Sequence, residues 1–156
     1  AARKFVQDPN GKWMEYAYRA INEIDPHILK MNVLNLGYEG MFSGYNYVME
    51  LRKKYDCNMP WILLFDPTAS CNLHCKGCWA AEYGKTLNLT YEEMDKLVTE
   101  GEELGIHWYM CTGGEPMCRK NDLLKLAAAH QNSVFHLFTN GTLIDEAFAD
   151  DMLRVL

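Results

Sequence analysis

The chain has 156 residues, 49% of them hydrophobic and 23% charged, with a formal net charge of −6. These values suit one globular domain with a buried core and exclude a disordered chain. The longest basic run is the short Arg-Lys-Lys at 52–54, so no phosphate-backbone partner is indicated. The apolar run at 61–65 is far too short to span a membrane, and no secretory leader pattern is visible. The sequence opens on AARKF without an initiator Met, and its true start is expected to lie upstream.

Over WMEYAYRAINEI (13–24) apolar residues fall at 13, 14, 17, 21 and 24, close to helical spacing. GYEGMFSG (37–44) reads as a Gly-containing loop and YNYVMELRKKY (45–55) as a second helix. Residues 1–58 form a mostly helical N-terminal extension on this reading, packing against or capping the rest of the chain, with no motif assignable to chemistry. From Pro60 the character changes. WILLF (61–65) predicts a strand buried on both faces. LTYEEMDKLVTEGEELG (89–105) predicts a helix, with Thr90 and Glu93 at capping-box spacing and Gly105 as its stop. IHWYM (106–110) is the second strand, broken by GGEP (113–116). NDLLKLAAAH (121–130) is a helix with Asn121 or Asp122 near its cap. VFHLF (134–138) is the third strand, ended by TNG (139–141), and TLIDEAFADDMLRVL (142–156) is a last helix with Thr142 as its cap. Three strand–loop–helix units in series predict parallel strands with right-handed crossovers, hence an α/β architecture over 59–156. A closed barrel of eight such units takes about 250 residues. Three units leave a strand edge and a flank uncovered, so a longer chain, another segment or another subunit is expected to complete the sheet.

The six cysteines are Cys57, Cys71, Cys75, Cys78, Cys111 and Cys118. An even number permits disulfides, but a chain this rich in core residues needs no staples, and clustered thiols in such a chain are metal ligands. Cys71, Cys75 and Cys78 stand at C-x3-C-x2-C spacing within CNLHCKGCW, on the loop after the first strand. In parallel α/β folds this rim is where ligands bind. Three thiolates suit an iron–sulfur cluster, and on four irons they leave one without a protein ligand, open to a substrate or cofactor. Zinc held by the three thiols and His74 is the alternative, although adjacent His74 and Cys75 turn awkwardly toward one ion. Inert cysteines are the third reading.

The other two strand ends carry polar, Gly-bearing motifs on the same rim. In GGEP the glycines permit close backbone approach, and Glu115 offers a carboxylate to an ammonium group. TNG suits a tight turn with Gly141 at positive φ. Each alone is more often a simple turn; their fall on one rim at three successive strand ends shifts the balance toward a site.

CNLHCKGC after the first strand, GGEP after the second and TNG after the third resemble the radical SAM superfamily, over roughly residues 60 to 156. The TNG branch resembles enzymes that include molybdenum-cofactor and peptide-modifying members. The resemblance implies the first half, three βα units, of a parallel partial (β/α)6 radical SAM barrel. It implies that Cys71, Cys75 and Cys78 hold a [4Fe-4S] cluster whose fourth iron is chelated by S-adenosylmethionine. Gly113, Gly114 and Glu115 are then expected to contact the methionine amino group, with Thr139 and Asn140 lining the same cofactor. Reductive cleavage of S-adenosylmethionine gives a 5′-deoxyadenosyl radical that abstracts hydrogen from a substrate, here unknown. An electron donor such as flavodoxin or ferredoxin and a reducing cytoplasm are implied with it. The sequence departs from the family pattern before the third cysteine. Gly77 stands where a large side chain is usual, and the aromatic is Trp79, a candidate for the adenine contact. Readings from other classes are a zinc-stabilised binding module and a simple iron–sulfur electron-transfer protein.

Among the remaining residues, Cys111 and Cys118 are expected to be small buried hydrophobes, and Cys57 has no partner by sequence. His107 and His136 lie within strands and are expected to be packed core residues. His74 flanks the cysteines, where it can tune a bound cluster through hydrogen bonds.

Overall fold

The computed structural model describes residues 8–82 and 86–155. The chain begins with α1 (Lys12–Glu23) and α2 (Pro26–Asn32). The Asp25 side chain accepts from the His27 and Ile28 amides, and Pro26 occupies a first-turn position where no donor is needed. From Val33 to Ser43 the backbone continues in wide, π-type turns straight into α3 (Gly44–Tyr55). The expected loop at 37–44 is therefore helical. Its glycines are points of close approach, not breaks. Gly40 is buried, and a Cβ on Gly44 would overlap the Gly105 carbonyl oxygen. Asn35 Nδ2 donates to the Gln131 carbonyl at 2.6 Å, which ties the helical segment to a turn far along the chain. Arg52 donates to the Met59 carbonyl through Nε at 2.9 Å and Nη2 at 2.6 Å. By contrast α1 buries none of its residues, and Trp13 and Ile21 on its apolar face are exposed.

β1 (Leu63–Thr68), β2 (Trp108–Gly113) and β3 (Val134–Leu137) form one parallel sheet in that order. α4 (Tyr91–Glu103) and α5 (Lys120–Ala129) make the crossovers, and α6 (Glu146–Val155) follows β3. The alternation of strands and helices is thus as the sequence predicts. The capping box is present: Glu93 N donates to Thr90 Oγ1 at 3.1 Å, and Thr90 N to Glu93 Oε2 at 2.7 Å. Gly105, at φ 79°, ends that turn.

β1 lies two to three residues beyond WILLF and runs through Pro67. Among the described residues β2 is the one strand that β1 pairs with, an isolated antiparallel bridge joins Thr68 to Asn88, and the register shifts between Phe65 and Thr68, where Pro67 lacks a donor. Nor is the strand buried on both faces. Phe65 belongs to the core with Tyr109, Cys111, Met94, Val98 and Leu126, whereas Leu64 is 61% exposed. One face of the sheet is covered by α4 and α5, and strand alternation places Leu64, Asp66 and His136 on the other, open face. His136 is accordingly exposed, stacked on Phe138 at 5.4 Å, and is not the core residue expected. His107 is half-buried near Gly44.

Two helix starts also differ from expectation. α5 is entered through a tight turn, Pro116–Arg119, whose Met117 amide is capped by Glu115. Asp122 pairs with Arg119 at 2.7 Å instead of capping. α6 starts at Glu146, with Asp145 Oδ1 accepting from Phe148 N at 2.8 Å, so Asp145 rather than Thr142 caps it. Leu156, the last residue of that predicted helix, lies outside the described residues. No helix among the described residues is long and apolar enough to cross a membrane.

Candidate functional site

Because the strands are parallel, the loops that leave them share one rim. The cysteine loop leaves β1 with Cys71 half-buried, Cys75 and Cys78 exposed, and none of them in a disulfide. Leu73 N donates to Cys71 Sγ at 3.4 Å and Cys78 N to the Cys75 carbonyl at 3.2 Å. Gly77 supplies the positive φ, 79°, that turns the chain between the second and third cysteines. His74 is exposed beside them.

The GGEP segment is pressed against the residues just before Cys71. Gly114 N donates to the Thr68 carbonyl at 3.0 Å and Glu115 N to the Ser70 carbonyl at 2.8 Å. A Cβ on Gly113 would stand 2.6 Å from the Thr68 oxygen, and one on Gly114 2.6 Å from the Ala69 oxygen. The glycine pair is therefore what lets two strand-end loops meet backbone to backbone. Glu115, only 1% exposed, turns inward. Its Oε1 accepts from Met117 N at 2.9 Å and from Thr139 Oγ1 at 2.6 Å, and its Oε2 from Asn140 N at 2.7 Å. A buried carboxylate needs such donors, and here they come from its own turn and from the TNG loop. The second and third strand ends are thus fastened by one side chain. Gly141 has φ 75°, as the turn requires.

Trp79, 62% exposed, opens a short turn after the third cysteine. It lines a cavity of about 490 Å³ together with Gly113, Gly114, Asp66, Ala80 and Leu87. That volume is in the range of small-molecule sites, and the wall is mainly apolar with few polar groups. Asp66 brings a carboxylate to it from β1. Cys111 is fully buried, and burial pushes its thiol up to about 12, with the nearby Asp66 charge adding to the effect. Cys118, expected to be buried, is exposed because it sits on the turn at the rim, and Cys57 is exposed as well.

Several contributors carry no sequence signal. Arg119 Nη1 donates to the Leu89 carbonyl at 2.5 Å and the Pro67 carbonyl at 3.2 Å, clamping the end of β1 to the segment ahead of α4. Asn72 meets Asn140 across 68 positions of sequence. Asp66 directly follows the apolar run 61–65 and precedes Pro67, with no motif around it that marks a site. His130 is buried between Glu102 and Asp95, at 3.0 and 3.3 Å, and stitches α4 to the turn before β3.

No ring of three or more His, Cys, Asp or Glu closes on a single-ion point among the described residues. A cubane cluster takes its thiolates at separate corners and needs no such point. The donor set, three unpaired thiols on one exposed loop beside a small-molecule cavity, fits that group.

The Radical SAM superfamily model matches residues 65–156. The chain belongs to the radical SAM superfamily. It is 36% identical over 90 residues to a GTP 3′,8-cyclase of Geobacter sulfurreducens, covering 53% of the chain and 28% of that protein. It is 32% identical over 98 residues to a PqqA peptide cyclase of Granulibacter bethesdensis, covering 61% of the chain and 26% of that protein. An uncharacterised protein of Archaeoglobus fulgidus is 24% identical over 112 residues, covering 70% and 25%. The chain thus spans between 25% and 28% of the length of these curated relatives. No solved structure matches it significantly. The radical SAM superfamily is one of enzymes, and two of these relatives are named as cyclases.

Proposed function

We propose that the protein is a radical SAM enzyme in which Cys71, Cys75 and Cys78 hold a [4Fe-4S] cluster and the rim around Gly113 and Gly114 receives S-adenosylmethionine. The observation that supports this best is the interlocking of three strand-end loops: the loop of free thiols is flanked by Ala69 and Trp79, which line one cavity with the close-packed glycine pair, and Glu115 fastens the glycine segment to the third loop from below. When bound, these cofactors supply one-electron cleavage of S-adenosylmethionine to a 5′-deoxyadenosyl radical that takes a hydrogen atom from substrate.

The protein's own groups bind and orient. Gly113 and Gly114 would contact the cofactor's amino group through their backbone, and Glu115 would support that contact from below while holding Thr139 and Asn140 at the site's edge. Trp79, on the cavity wall, would take the adenine contact. Residues 59–156 are read as the first half of a partial (β/α)6 barrel, and residues 1–58 as its helical extension. The open sheet face with Leu64, Asp66 and His136 is then the inner wall of that barrel. The electron comes from a small donor protein of the flavodoxin or ferredoxin kind, and the compartment is the cytoplasm. The named cyclases among its relatives favour a ring-forming or bond-forming reaction on a substrate that differs between branches.

The test is anaerobic reconstitution with iron and sulfide. The expected product is brown and holds four irons per chain, and Cys71→Ala, Cys75→Ala or Cys78→Ala abolishes the colour. With a strong chemical reductant the full enzyme releases 5′-deoxyadenosine. A colourless protein carrying one zinc overturns the reading, and a brown one that never binds S-adenosylmethionine reduces it to electron transfer.

A further inference from the structure

Three side chains at the rim close a ring of hydrogen bonds. Asn72 Nδ2 donates to Thr142 Oγ1 at 2.7 Å, Thr142 Oγ1 donates to Asn140 Oδ1 at 2.7 Å, and Asn140 Nδ2 donates to Asn72 Oδ1 at 2.9 Å. Each residue gives one bond and takes one, so the three polarise one another in a closed cycle. Asn72 lies between the first two cysteines, whereas Asn140 and Thr142 lie about 70 residues later on the loop after β3. The ring is anchored from below. The Asn140 amide and the Thr139 hydroxyl both donate to the buried Glu115 carboxylate, at 2.7 and 2.6 Å.

We infer that Asn72, Asn140 and Thr142 are positioning residues that hold the cysteine loop in register with the other two strand ends. This rests on the reading of Cys71, Cys75 and Cys78 as cluster ligands. Within the cysteine loop the backbone bond from Cys78 to Cys75 is local, and a Cβ on Gly77 would meet nothing within 4 Å. From Asn72 to Cys78 the loop is exposed. The bond from Glu115 N to the Ser70 carbonyl holds the loop's start, the ring supplies a long-range tie from within the loop, and through Glu115 that tie reaches the Gly113–Gly114 segment. Groups that orient metal ligands from outside typically change metal affinity about 10–100-fold when removed. A purely local role is the competing explanation, because Thr142 N also donates to Asn140 Oδ1 at 2.9 Å in an ordinary side-chain turn. That turn has no reason to affect residues 71–79.

Thr142→Val separates the two, since it removes the hydroxyl that both accepts and donates while preserving shape and the Thr142 amide. Asn72→Leu is the second probe, removing both the Nδ2 donor and the Oδ1 acceptor at similar volume. Thr142→Ser retains the ring and should track the wild type. All three positions of the ring are exposed, so the variants are expected to melt close to the wild type. In the reconstituted enzyme, iron release to a chelator should be roughly 10-fold faster for Thr142→Val and Asn72→Leu. In the metal-free protein, amide hydrogen exchange over residues 71–79 should rise in the same two variants and not in Thr142→Ser. Unchanged exchange over that segment, or unchanged iron release, overturns the inference. A wild type that takes up no iron overturns the functional reading instead, and the exchange measurement still decides whether the ring restrains the loop.

Discussion

Glu115→Gln probes the part of the rim on which most else depends. The carboxylate accepts from three donors, Met117 N at 2.9 Å, Thr139 Oγ1 at 2.6 Å and Asn140 N at 2.7 Å, in a position 1% exposed. An amide has one oxygen. Placed at the Oε1 position, it keeps the bonds to Met117 and Thr139 but aims an NH2 group at the Asn140 N–H. Flipped, it keeps Asn140 and opposes the other two. The better arrangement loses one bond to a charged acceptor, worth about 1.5–3 kcal/mol, and strands a donor. The total is near ~3 kcal/mol, or roughly 6–12 °C in melting midpoint for a chain of this size. Thermal and denaturant unfolding followed by circular dichroism read it directly, with the denaturant slope unchanged if the fold is kept. A Gln variant within about 0.5 kcal/mol of the wild type, the spread of neutral surface changes, would refute the idea that this carboxylate fastens the two strand ends.

The glycines separate packing from backbone strain. Gly141→Ala meets nothing within 4 Å and should cost only the strain of its φ of 75°, about 1–2 kcal/mol, whereas Gly114→Ala collides with the Ala69 and Ser70 carbonyls and should destabilise more while loosening the cysteine loop. Equal unfolding midpoints for the two variants would contradict the close approach. For the thiols, burial pushes Cys111 up to about 12, so at pH 8 it carries almost no thiolate. Mass spectrometry after brief alkylation of the metal-free protein should find Cys75 and Cys78, both exposed, modified and Cys111 untouched until denaturant is added. Labelling of Cys111 in the folded protein would remove it from the core.

The elements that were legible in sequence are those fixed by local rules. Thr90 and Glu93 cap α4 as their spacing requires, because both partners lie within one turn. Gly105 and Gly141 take the positive φ expected of turn glycines. The misread elements are those decided by a distant partner. The glycines of 37–44 look like breaks until Gly105 is seen to occupy the space beside Gly44. His136 looks like a core residue until the sheet shows which of its faces α4 and α5 cover. Thr142 looks like a helix cap, yet Asn72 lies near enough to claim it, and Asp145 takes the cap.

The sequence by itself determined the order of strands and helices, the three thiols on the first strand-end loop and the two motifs on the next. Spacing and periodicity are local properties and survive without knowledge of neighbours. Only the tertiary structure decided what those motifs do to one another. It turned Glu115 inward to fasten Thr139 and Asn140, joined Asn72 to the third loop, and set Trp79 and Asp66 around one cavity. Parallel strands bring residues some 70 positions apart to a common rim, and no pattern read along the chain contains that distance.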